Sequence, residues 1–169
     1  MKVLKRVSLA LALSAPLAVL PPSAALAETL VPFTALLNGP QQVPPENTPS
    51  QGVALVVLVK DTNVVCWRIS YSPLAGTETV AHFHGPAAPG QNAAILVNIT
   101  PAPSPVGSPK HACVPFTKDQ VKLLTKGLLY INVHSSVAPN GEIRGQVLPD
   151  KVKYKNVPAP ASPAGAFLE

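Results

Sequence analysis

Short apolar runs alternate with turn-forming clusters through the middle of the chain. Residues 53–59 are almost continuously apolar and rich in Val, the pattern of a buried central strand. Gly52 opens this run and Asp61-Thr62-Asn63 closes it with turn chemistry. Residues 63–71 form the return arm of a hairpin, ended by Ser72-Pro73. Two further strands are predicted at 79–84, stopped by Gly85-Pro86, and at 93–100, broken by the Pro-rich stretch 101–109. The runs 128–134 and 142–148 flank Pro139-Asn140-Gly141, and Asn-Gly between alternating segments is a strong hairpin signal. One helix fits just before them, with Thr117 as N-cap, Asp119 and Gln120 in the first turn and Gly127 just beyond the end. Six or so short strands with one short helix predict an all-β fold, an antiparallel β-sandwich or Greek-key barrel.

The two ends of the chain read differently. Lys2, Lys5 and Arg6 precede an apolar stretch at 9–20 that Pro16 interrupts, and Ala25-Leu26-Ala27 is a small-x-small cleavage site. This predicts a secretory signal peptide over 1–27, with cleavage before Glu28 and a secreted or periplasmic product. A membrane anchor would need ~20 apolar residues without prolines. At the other end, 150–169 is dominated by Pro, Ala and three spaced lysines, which predicts a flexible tail. The domain is therefore expected over 28–149.

This division changes the meaning of the charge. The whole chain carries 13 Lys and Arg against 8 Asp and Glu, a net +5. Removing the leader with Lys2, Lys5 and Arg6 leaves ten positive against eight negative charges. A nearly neutral product lacks the basic stripe that nucleic-acid binding requires. Export also bears on Cys66 and Cys113, the only two cysteines. In an oxidising compartment they have one connectivity, which would staple a Pro-rich loop to the sheet. Two free thiols or a thiolate metal site are the alternatives.

Side chains two apart on a strand share a face. His82 and His84 therefore point together, opposite Ala81 and Phe83. Leu129, Ile131 and Val133 make a core stripe, leaving Tyr130, Asn132 and His134 on the other face. In the last strand Glu142, Arg144 and Gln146 oppose Ile143, Gly145 and Val147. Should these strands be neighbours, one face gathers three imidazoles, a carboxylate and a guanidinium. Two readings stay open. His82, His84 and His134 form a metal site suited to copper or zinc. Otherwise the face is a hydrogen-bond network, with histidine donating to Glu142 or backbone and Arg144 paired with Glu142, that fixes register and loops. The fourth histidine, His111, falls on a loop near Cys113. Glu142 with His134 has acid–base capacity, but no G-x-S-x-G elbow and no phosphate-binding glycine loop accompanies it. A non-enzymatic module is expected, with a metal ion or a protein as partner.

Four stretches carry a family resemblance. Phe33-Thr34-Ala35-Leu36-Leu37-Asn38-Gly39-Pro40-Gln41-Gln42-Val43-Pro44-Pro45 resembles the opening motif of the CHRD domain, the module repeated in chordin. Ala81-His82-Phe83-His84-Gly85-Pro86-Ala87 resembles its central "AHIHGPA" motif. Leu129-Tyr130-Ile131-Asn132-Val133-His134-Ser135 and Gly141-Glu142-Ile143-Arg144-Gly145-Gln146 resemble its closing "YVNVHT…GEIRGQ". The likeness runs over about 31–148 and departs at Gln42, where the family usually has Glu. It implies a β-rich extracellular or periplasmic module. The cysteine-rich modules that accompany growth-factor binding in chordin are absent from this chain, so that activity is not inherited. Leu74-Ala75-Gly76 followed by His82-Phe83-His84 is also similar to the "GL…HVH" segment of copper–zinc superoxide dismutases. Those enzymes use more histidines and a zinc-sharing aspartate, for which no counterpart is assigned among Asp61, Asp119 and Asp150.

Overall fold

The computed structural model describes residues 29–150. The expected signal peptide and all of the expected tail except Asp150 lie outside the described residues. Eight strands run in chain order as β1 (Leu30–Asn38), β2 (Gln51–Val59), β3 (Val64–Tyr71), β4 (Glu78–His84), β5 (Ile95–Thr100), β6 (Lys110–Pro115), β7 (Leu129–Ser135) and β8 (Ile143–Pro149). One helix, α1 (Lys118–Thr125), precedes β7. The strands form one antiparallel sheet in the order β5-β4-β7-β8-β1-β2-β3-β6, with both edges formed late in the middle of the chain.

The sheet curls until its ends face one another, giving a nearly closed barrel. Trp67 on β3 and Phe83 on β4, near opposite ends of the strand order, meet edge to face with ring centroids 5.3 Å apart. Phe116, just before α1, packs on Phe83 at 5.8 Å. The inner face follows the period-two rule: Phe33, Ala35 and Leu37 on β1, Ala54, Val56 and Leu58 on β2, and Leu129, Ile131 and Val133 on β7 are all buried. Burial of such side chains contributes about 1.5–3 kcal/mol each and supplies most of the drive for closure.

A polar seam spans the gap at the open edge. The Glu78 carboxylate accepts hydrogen bonds from the Thr100 hydroxyl at 2.9 Å and the Gly107 N–H at 2.6 Å, and from Lys110 and the Tyr71 hydroxyl. It thereby ties β4 to β5, to the 101–109 loop, to β6 and to the end of β3. Burial pushes the Glu78 carboxyl up, but these bonds outweigh it and hold the group below its ordinary value. Nothing in the spacing of these residues announces the seam, because its members come from five separate segments.

Several expectations are corrected. β1 lies outside the predicted strands, its residues standing out only through the opening motif. β2 is not buried on both faces: Val53 and Leu55 are 39% and 48% exposed, because the barrel wall covers only the inner side. The fourth predicted strand begins at Ile95 rather than at Ala93. His111 lies on strand β6, not on a loop; β6 pairs with β3 so that Cys113, on the same strand, stands directly opposite Cys66. The disulfide forms between them and ties neighbouring strands together. Asp150 also belongs with the domain, its carboxylate accepting from Thr34 and its N–H donating to the Pro32 carbonyl at 3.0 Å.

The helix matches its sequence signals closely. Thr117 and Gln120 close a capping box, and Gly127, at φ +68°, ends the helix where the Leu128 N–H returns to the Leu123 carbonyl.

Candidate metal centre

β4, β7 and β8 are neighbours, which places their outward rows side by side. The register aligns His82 with Asn132 and Arg144, and His84 with Tyr130 and Gln146. An outward face on a barrel wall would ordinarily be wet, yet His82, His84, Tyr130, Asn132, His134, Arg144 and Gln146 are all buried. The cause is a roof built from three loops. Gln42 donates to the Asn132 side chain at 2.6 Å, and Asn92 and the Gln91 carbonyl accept from Arg144. Ala93 meets both the Tyr130 hydroxyl and His84, and Pro139 meets His134.

Under this roof the three histidines converge. Ring centroids lie 5.5 Å apart for His82 and His84, 5.2 Å for His82 and His134, and 6.1 Å for His84 and His134. One ring nitrogen from each lies within 4.8 Å of the others. Two tautomers are fixed by backbone. Nδ1 of His84 lies 3.0 Å from the Ala93 carbonyl, and Nδ1 of His134 lies 2.9 Å from the Pro139 carbonyl. A carbonyl only accepts, so each Nδ1 carries the proton and each neutral ring keeps a lone pair on Nε2. Those two Nε2 atoms and Nδ1 of His82 are buried with no hydrogen-bond partner.

Burial favours the neutral form of His82 and His84. Burial, reinforced by His134 and His84, pulls the His82 pKa down to about 4. Burial also lowers His84, outweighing the opposing bond to Ala93, with His134 and Arg144 adding to the effect. His84 is further braced by Tyr130, stacked on it at 4.8 Å and nearly parallel. Three converging imidazoles are a donor set for Zn or Cu. A bond length of ~2.0–2.1 Å puts three nitrogens about 3.5 Å apart, so each ring needs to shift by under ~1 Å to close on an ion.

The remaining predicted residues take separate roles. Asn132, Tyr130, Gln146 and Arg144 hold the roof. Glu142 does not pair with Arg144: its carboxylate accepts from the Thr48 and Ser50 hydroxyls and the Ala75 N–H at 2.7–3.0 Å, tying those segments to the start of β8. His111 is exposed on β6 and is not one of the converging histidines. Sequence reasoning missed the roof residues Gln91, Asn92 and Ala93, and only Gln42 had stood out, as a departure. In place of the usual Glu it presents an amide N–H to Asn132.

A nearly closed antiparallel barrel with a roofed polar face on β4, β7 and β8 defines the class of domain. The CHRD domain family matches residues 33–147, and the chain belongs to that family. No curated protein and no solved structure matches it. Among the described residues no helix is long and apolar enough to cross a membrane.

Proposed function

We propose that this domain is an exported, non-enzymatic module that binds a transition-metal ion, copper or zinc, through His82, His84 and His134. One observation carries the reading: the three rings bring a ligand atom each within 4.8 Å of one another, and each ring holds a buried nitrogen without a partner. A buried polar atom without a partner costs about 1–3 kcal/mol, and three at one point call for a common ligand. Backbone carbonyls on the second nitrogen of His84 and His134 are the kind of outer-shell support that orients metal-ligating histidines. Export draws support from the Cys66–Cys113 disulfide, which suits an oxidising compartment.

The test is metal analysis of tag-free protein followed by Cu(II) and Zn(II) calorimetry on wild type and the His82→Ala/His84→Ala variant. Stoichiometric binding of about micromolar strength or tighter, lost in the variant, is the expected result. A wild type that binds neither ion would overturn the reading. A second reading, a purely structural network, is favoured by the bonding of Tyr130, Asn132, Arg144 and Gln146 to loops. It expects no ion and a variant that melts earlier in chelator. For export, N-terminal sequencing of protein recovered outside the cytoplasm should begin at Glu28; an intact Met1 end there would argue against cleavage.

A further inference from the structure

Arg144 is only 2% exposed and has no carboxylate beside it. The nearby acids are engaged elsewhere: Glu78 pairs with Lys110, and Glu142 is held by Thr48, Ser50 and Ala75. The guanidinium donates to the Asn92 side chain at 3.1 Å and to the Gln91 carbonyl at 2.7 Å, and lies over the Tyr130 ring at 3.5 Å. Every one of these partners is neutral. Only two of the five N–H groups that arginine carries are thus used. A buried cation answered only by neutral groups is normally matched by an anion.

The structure offers room for one. Arg144 and Gln146 line a groove of about 360 Å³ whose apolar walls are Pro40, Val43 and Pro45 on one side and Pro89 on the other. Small-ligand sites combine such apolar walls with a few convergent polar groups. Gln146 adds a second unanswered atom. Its Nε2 donates to the Ala87 and Gly127 carbonyls, both at 2.8 Å, while its Oε1 is buried without a partner. The lining residues thus include an uncompensated cation and, two positions along β8, a side chain whose buried carbonyl oxygen is unanswered. Its complement is an anion with a donor on the neighbouring atom.

We propose that this groove binds a small carboxylate bearing an N–H or O–H donor next to the carboxyl group and a short apolar body, the chemistry shared by N-acyl amino acids and 2-hydroxy acids. The carboxylate pairs with Arg144, the donor meets Gln146 and the body packs on the prolines. The inference does not depend on a metal at the histidines.

The experiment titrates the full chain, with chelator present to exclude any bound ion as the carboxylate's partner, and reads binding by NMR shifts. The probes are N-acetyl-L-valine, 2-hydroxy-3-methylbutyrate and the neutral N-acetyl-L-valinamide. Saturable shifts confined to the groove are expected for both acids, with the amide weaker by about tenfold or more. Arg144→Gln should abolish binding. Should that variant fail to fold, Pro45→Glu, at an exposed wall position, should weaken both acids by about threefold or more through like-charge repulsion. Equal binding of acid and amide, no saturation by either acid, or unchanged affinity in Pro45→Glu would overturn the proposal. Binding of one acid and not the other identifies which donor the groove accepts and supports it.

Discussion

Single side chains under the roof set measurable properties. The His82 pKa is about 4 in the folded protein against 6.5 for the free side chain, so between these values the unfolded chain binds more protons. The stability conferred by the neutral ring is complete above pH 6.5 and is lost as pH falls toward 4. The melting temperature of the metal-free protein should drop across this window, and His82→Asn should reduce the slope. Gly141 sits at φ +120°, and a Cβ there would meet the Asn132 and Gln42 side-chain atoms at 2.3–2.6 Å. Gly141→Ala should therefore destabilise by about 1–3 kcal/mol and loosen the Gln42–Asn132 bond, checked by denaturant unfolding. The sequence disclosed which side chains share the polar face, because strand alternation is a local rule. It did not disclose that this face is buried, since the covering loops carry no periodicity.

At the level of elements, each strand takes its place for a different reason. β7 and β8 were legible from alternation and from the turn at Pro139-Asn140-Gly141. β6 was not: prolines on both sides and only six residues make it resemble a loop, and pairing with β3 decides the matter. β4 is held to β6 through the buried Glu78–Lys110 pair, with Lys110 fully enclosed. Removing one partner leaves an uncompensated charge, so Glu78→Gln should cost about 3–5 kcal/mol in denaturant unfolding. Thr117→Ala deletes one half of the capping box and should cost about 1 kcal/mol, with helical signal otherwise retained. An unchanged midpoint in the Glu78 variant would show that the seam contributes little.

For the whole molecule, closure is the organising event, and it was only partly readable. The antiparallel all-β class follows from short alternating strands; the strand order does not, because β4 pairs with β7 and β1 with β8 across long intervals. The trio at the centre of the polar face depends on that order. His82 and His84 precede the 101–109 loop in the chain, whereas His134 follows it. Cys66 and Cys113 straddle the same loop. With the proposed ion bound at the trio, a protease cut there would give two fragments spanned by two independent ties, one covalent and one coordinate. Reductant alone would open the first and chelator alone the second, so a nicked chain in mild denaturant should separate fully only when both are present.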